Sequence, residues 1–166
     1  SEAITNGESI LIFSQFKEVC GALQNLLKTQ LGFNTYYLHG GTSRKKREQM
    51  IDQFQSKDSP ASVFILSLKA GGVGITLTKA NHVIHFDRWW NPAVENQATD
   101  RAYRIGQKKT VFTHKFITIG TVEEKIDKML EDKQKVADSI VGNDESWLST
   151  LDAKSFIDLI QLRSQR

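Results

Sequence analysis

Apolar residues gather in five short runs of strand length, at 9–14, 34–38, 62–67, 82–86 and 111–117. Between the first two runs the pattern changes: Phe16, Val19, Leu23, Leu26, Leu27 and Leu31 recur at three- and four-residue spacing, and Gly32 follows where a helix stop belongs. That is the signature of an amphipathic helix packed on a sheet. Alternation of strands with helical patterns, and a run as continuously apolar as Val63-Phe64-Ile65-Leu66, predict an α/β fold with a parallel sheet covered by helices on both faces. In such sheets ligands bind beyond the carboxyl ends of the strands. Ser14-Gln15, His39-Gly40-Gly41, the stretch 67–74 and the stretch 87–91 each follow a strand, so four loops are expected to converge on one edge.

After the fifth run, Thr121 and Glu124 have the spacing of a capping box, which predicts a helix running to about Val141. Gly142-Asn143-Asp144 breaks it, and 152–162 reads as a short final helix with Phe156, Ile157 and Ile160 on one side. The chain therefore divides into a sheet domain, 1–120, and a helical appendage, 121–166.

Composition adds bounds rather than a function. At 166 residues, 39% of them hydrophobic and 25% charged, the chain has the usage of an ordinary folded domain. The lone Cys20 falls on the apolar stripe of the first helix and can form neither an internal disulfide nor a Cys-based zinc site, which suits a reducing, intracellular setting. No charged leader precedes an apolar core and no run reaches membrane-spanning length, so neither secretion nor membrane insertion is expected. A net charge of +3 is compatible with a polyanionic partner without implying one.

The chemistry lies in the loops. No Gly-Lys pair occurs, so a phosphate-cradling Walker loop is absent from the sequence. Lys69-Ala70-Gly71-Gly72-Val73-Gly74 fails the dinucleotide fingerprint, yet three glycines after a strand let backbone N–H groups approach a ligand, with Lys69 and Thr76 beside them to hold phosphate. A tight strand exit explains the same residues equally well. Asn91 and Pro92 suit the cap and first position of a helix. If that helix continues to Gln107, then Gln97, Arg101 and Arg104 share one face, where two guanidinium groups could stabilise charge on a phosphoryl group. On these residues alone, local pairing with Glu95 and Asp100 is the simpler explanation. Arg44-Lys45-Lys46-Arg47 opposes a helix dipole and hints at an anionic partner, although a solvated face accounts for it too. Of the adjacent Trp89 and Trp90, one ring is assigned to plugging the core edge and one to nucleic acid. His82, His85 and His114 lack metal-ligand spacing and are read as structural; no metal site is expected.

The order of Ile10-Leu11-Ile12-Phe13-Ser14-Gln15, Leu38-His39-Gly40-Gly41, 67–77, 87–92 and Gln97-Ala98-Thr99-Asp100-Arg101-Ala102-Tyr103-Arg104-Ile105-Gly106-Gln107 decides between these alternatives. It resembles the C-terminal RecA-like lobe of SWI/SNF-family double-stranded-DNA translocases, in helicase superfamily two, over roughly residues 8 to 141. Trp89-Trp90-Asn91-Pro92 and Asp100 to Gln107 are its most specific parts.

The resemblance implies that Gln97, Arg101 and Arg104 are motif-six residues, the arginines reaching ATP phosphates across an interlobe cleft. It implies nucleotide-side roles for Gly72, Gly74 and Asp100. DNA contacts are implied for Ser14, Gln15, His39, Gly40, Gly41, Arg44, Lys45, Lys69, Ala70 and Gly71, and a coupling role for Trp90. The helix from Thr121 looks like the brace packed on the motor core. ATP and Mg2+ would be held mainly by an N-terminal RecA-like lobe, so the chain is one half of a motor and inactive as an ATPase when isolated. Its partners would be that lobe, double-stranded DNA and DNA-bound proteins, in an archaeal or bacterial cytoplasm or nucleoid. Arg88 departs from the family pattern, where proline is usual, and is expected to set the loop before Trp89 differently. The rival reading is a RecA-like nucleic-acid-binding or regulatory module without turnover, to which two aligned arginines would be superfluous. An RNA helicase lobe would leave Trp89-Trp90-Asn91-Pro92 unexplained.

Overall fold

The structure, a computed structural model, describes residues 2–67, 75–89 and 92–137. Five parallel strands form one sheet, β1 (Ser9–Ser14), β2 (Thr35–Leu38), β3 (Val63–Ser67), β4 (Ala80–His85) and β5 (Phe112–Lys115), in the order β2-β3-β1-β4-β5. The α/β expectation holds, with strand ends within two residues of those read from the sequence. Among the described residues five helices accompany them: α1 (Glu2–Thr5), α2 (Lys17–Thr29), α3 (Arg44–Gln55), α4 (Pro92–Thr99) and α5 (Val122–Ala137). The four-residue α1 is too short for periodicity to reveal it.

Alternation along the strands sorts the core into two layers. Leu11, Phe13, Phe64, Leu66 and Val83 face Phe54 of α3 and Ala98 of α4, while Ile12, Val63 and Ile65 face Cys20, Leu23 and Leu27 of α2. Removing a Phe or Leu side chain from water contributes about 1.5–3 kcal/mol, so Phe13, Phe54 and Phe64, all fully buried, anchor the first layer. The second layer explains where α2 stops. Gly32 takes φ 66 and the Phe33 N–H reaches the Leu27 carbonyl at 2.9 Å, a closure that turns the chain into β2. Phe16, Leu26 and Leu31, assigned to the buried stripe, are exposed.

β1 and β4 are neighbours, yet β1 leads into α2 on one face and β4 into α4 on the other. A crevice opens between two such strands at their carboxyl ends. At the far edge, all four residues of β5 are exposed. The cap of α5 is displaced by one residue from the expected box: Thr121 Oγ1 accepts from Glu123 N–H at 3.2 Å, and Glu124 reaches back to Gly120 N–H at 3.0 Å. The described part of α5 ends at Ala137, and the helix expected over 152–162 lies outside the described residues. Among the described residues no helix is long and apolar enough to cross a membrane.

Candidate nucleotide and nucleic-acid site

Asp87 organises the crevice. It follows β4, is nearly buried, and accepts the Ser14 hydroxyl and the Gln15 backbone N–H, the latter at 3.1 and 3.2 Å to its two oxygens. Ser14 Oγ in turn accepts from Phe16 N–H at 3.1 Å. Burial pushes the Asp87 carboxyl above the usual carboxylate range, and the hydrogen bonds from Ser14 and Gln15 oppose that. The Gln15 amide is also fixed, donating from Nε2 to the Arg88 carbonyl at 2.8 Å. Ser14, expected among the DNA contacts, is 0% exposed; it sits below the surface and presents Gln15 instead.

A cleft of about 380 Å³ lies beside this turn, lined by Gln15, Phe16, His39, Gly40, Gly41 and Ser67 among others. Its other wall is a self-contained loop in which His39 N–H donates to Thr42 Oγ1 at 3.1 Å and His39 Nδ1 accepts from Gly41 N–H at 3.1 Å. A Cβ at Gly41 would lie 3.2 Å from the imidazole, closer than ordinary contact, so glycine suits the fold of His39 over its own loop. The basic run begins α3, capped by Ser43, which accepts from Lys46 N–H at 3.4 Å. Arg44 pairs with Glu48 at 2.9 Å, a solvent-exposed contact. The loops after β1 and β2 thus meet the end of β3 in one cleft, at the carboxyl edge of the sheet.

Gln97 is exposed on α4, but Arg101 and Arg104 do not extend its face, because the helix ends at Thr99. Past Asn96 the backbone tightens: Arg101 N–H bonds to Ala98 O and Ala102 N–H to Thr99 O, both three-residue closures. Two tertiary contacts impose this. The Arg101 carbonyl accepts from Leu77 N–H at 2.9 Å, and Gln107 Nε2 donates to the carbonyls of Thr78, Ala80 and Ala102. The arginines are therefore held by a stapled turn against residues 75–80 and not by a helix face. Arg104 is exposed and donates from Nη1 to Thr76 Oγ1 at 2.9 Å. Arg101, in contrast, is only 8% exposed, and burial first, then the Arg104 charge, lower its pKa. Asp100 is exposed at the head of the turn. Glu95, the expected pairing partner of the arginines, is ion-paired with Arg88 at 3.0 Å and Lys115 at 3.1 Å.

Trp89 is half-buried and its backbone N–H donates to Glu95 at 3.1 Å. Lys69, Ala70, Gly71, Gly72, Gly74, Trp90 and Asn91, singled out above, lie outside the described residues. His85 behaves as the structural reading required, stacked on Phe13 with Nε2 at 3.0 Å from Thr99 Oγ1. His82 does have a carboxylate at hand: Glu8, distant in sequence, lies 2.8 Å from its Nε2. Among the described residues no three His, Cys, Asp or Glu side chains could jointly hold a metal ion. Sequence reasoning missed the organising role of Asp87 and the staple of Gln107. Asp87 could have been found as a carboxylate at the strand end facing Ser14-Gln15; nothing local marks Gln107.

For ATP the residues fit in part. Arg104, Arg101 and Gln97 offer donors to anionic oxygens, whereas the chain contains no Gly-Lys pair to cradle phosphates.

Residues 2–106 match the model of the helicase conserved C-terminal domain. The chain is 51% identical over 155 residues, 93% of its length, to YwqA of Bacillus subtilis, named for an ATP-dependent helicase/translocase activity. It is 39% identical over 138 residues, 83% of its length, to the DNA repair and recombination protein RAD54B of Gallus gallus. It spans only 16% and 15% of those two proteins. Among solved structures, the SWI2/SNF2 ATPase core of Sulfolobus solfataricus in complex with double-stranded DNA superposes with a TM-score of 0.78 at 41% identity, covering 98% of this chain and 34% of that one. The C-terminal domain of the Sulfolobus solfataricus ATPase gives 0.73 at 39% identity, over 98% of this chain and 65% of that one. With this sheet order and this placement of loops, the chain belongs to the helicase C-terminal domain family and has the C-terminal RecA-like lobe of the SWI/SNF family.

Proposed function

We propose that this lobe is the second half of an ATP-dependent translocase on double-stranded DNA. Arg101 and Arg104, with Gln97 nearby, act as fingers on ATP and Mg2+ held mainly by an N-terminal RecA-like lobe. The observation that carries the proposal is the stapled turn: one guanidinium buried, its neighbour exposed and aimed by Thr76. A salt-bridged surface helix would need neither the staple nor the burial. When bound, ATP supplies the phosphoryl group, and this chain's residues bind and orient its developing negative charge.

Gln15, His39, Gly40, Gly41, Arg44 and Lys45 line or flank the cleft assigned to the DNA backbone, where Ser14 positions Gln15. DNA-backbone contacts are also assigned to Lys69, Ala70 and Gly71, and nucleotide contacts to Gly72, Gly74 and Asp100. Ser67, which lines the cleft, and Thr76, which accepts from Arg104, are nine residues apart in the sequence. Trp90 couples hydrolysis to movement, Trp89 supports the core edge, and residues 121–166 form a brace appended to the lobe of residues 1–120. In the cell the motor displaces or remodels DNA-bound proteins.

The test is hydrolysis by the chain alone and by the full-length protein. The chain alone is expected to show no DNA-stimulated turnover, because its sequence has no Gly-Lys pair to cradle the β- and γ-phosphates; the full-length protein is expected to hydrolyse ATP, and to lose this on Arg104→Ala. Turnover by the chain alone that Arg104→Ala abolishes would overturn the division of labour. Full-length protein that binds DNA but never hydrolyses ATP would favour the regulatory module.

A further inference from the structure

Arg88 lies deep in the lobe, 5% exposed, and contacts two acids from two different helices. Its Nε is 3.0 Å from Glu95 of α4, and its Nη1 donates to Asp127 of α5. Glu95, 1% exposed, is shared further: its second oxygen is 3.1 Å from Lys115 of β5, and its first also accepts the Trp89 N–H. Charges alternate through the cluster, Asp127, Arg88, Glu95, Lys115, and they come from α5, the loop after β4, α4 and β5. Buried ion pairs of this kind are seldom net stabilisers, since desolvation offsets the attraction, but they fix one arrangement of the elements that supply them. Here the arrangement fixed is that of α5 against α4. Ile126 and Leu130 bury the same helix on either side of Asp127, so α5 moves with Asp127 and not around it.

Two residues beyond Glu95 stands Gln97, and α4 then passes directly into the turn that presents Arg101 and Arg104. We propose that Arg88 is a positioning residue, joined to Asp127, through which the seating of α5 sets α4 and therefore the reach of the two arginines. It touches neither ATP nor DNA. The inference rests on the reading of Arg101 and Arg104 as fingers, and gives α5 a control over turnover: a protein surface or chain segment that pulls α5 away slows hydrolysis without blocking either ligand.

Asp127 stands at one end of the cluster, with a side chain 21% exposed, so it can be altered with Glu95 still on Arg88. In the full-length protein, Asp127→Asn is expected to lower DNA-stimulated kcat about tenfold, with KM for ATP and duplex affinity within twofold and the melting temperature nearly unchanged. Asp127→Glu, which restores the carboxylate, recovers most of the rate. Glu131→Gln, one turn further along α5 and exposed, leaves it intact. A normal kcat in Asp127→Asn overturns the proposal, and so does a fall in kcat that tracks a fall in melting temperature and is not recovered by Asp127→Glu. Arg104→Ala in the same assay separates the two layers. If it abolishes turnover while Asp127→Asn leaves kcat normal, the positioning role alone fails; if it leaves turnover normal, the finger reading fails and the positioning role falls with it.

Discussion

Arg104 and Thr76, twenty-eight residues apart, are joined by a 2.9 Å hydrogen bond from the guanidinium Nη1 to the threonine hydroxyl. Both groups are accessible, so the bond contributes little to stability, about 1 kcal/mol at most, and its use is to aim a long, flexible side chain. Thr76→Val keeps the shape and removes the acceptor. In the full-length protein this variant is expected to slow ATP turnover several-fold while the melting temperature stays within a few degrees of wild type. Unchanged turnover in a stopped-flow phosphate-release assay would show that Thr76 does not orient the finger.

His85 makes the lobe acid-sensitive. Burial, the largest cause, lowers its pKa from 6.5 to about 4; the Glu95 charge opposes this, and Lys115 and Arg88 reinforce it. Because the folded value is the lower one, the unfolded chain binds more protons between these values. Stability is therefore complete above pH 6.5 and lost as pH falls toward 4, by about 3 kcal/mol at the end of the window. Asp87, raised by burial, tilts the slope the other way above its ordinary value of 3.8, since its folded state holds the proton better. Urea unfolding at pH 7.5, 6 and 5 measures the difference, and His85→Gln is expected to flatten it. An equal slope in that variant would place the acid sensitivity elsewhere.

The basic start of α3 predicts how duplex DNA is held. Arg44 already pairs with Glu48, so Lys45 is the better probe of a phosphate contact. Lys45→Ala is expected to weaken binding by the full-length protein equally on unrelated duplex sequences. It should also reduce the slope of log K against log salt by about one. A sequence-dependent loss, or an unaltered slope, would remove α3 from the DNA path.

What the sequence made legible was whatever is written locally. Val63 to Leu66 and the stripe through Cys20, Leu23 and Leu27 announce a strand and a helix wherever they occur, and strand-end loops follow from the sheet. The turn after Thr99 is not written locally. Its hydrogen bonds end on Leu77, Thr78 and Ala80, which no helical spacing rule reaches, so Gln97, Arg101 and Arg104 looked like one continuous face. Burial was the other hidden quantity. Ser14 and Arg88 are polar and sit in or beside loops, and only the carboxylates of Asp87, Glu95 and Asp127 make their burial possible.

That difference in burial divides the two arginines, which the sequence pattern placed as equivalents on one helix face. Arg104 is exposed, so Arg104→Ala forfeits at most an exposed hydrogen bond, worth about 1 kcal/mol or less in stability. As a finger, it contributes on the order of a thousandfold or more to turnover. Arg104→Ala in the full-length protein is therefore expected to abolish DNA-stimulated ATPase and leave the melt unchanged. Arg101 lies 8% exposed in the turn that packs Ala98 and Ala102 into the core, so Arg101→Ala leaves a hole as well as removing a charge. It is expected to lose turnover and to melt several degrees lower. Hydrolysis rate and thermal melt, taken on the same preparations, separate the outcomes. Normal turnover in Arg104→Ala would mean that the exposed guanidinium is not a finger, and a loss confined to Arg101→Ala would then trace to the fold of the turn and not to chemistry.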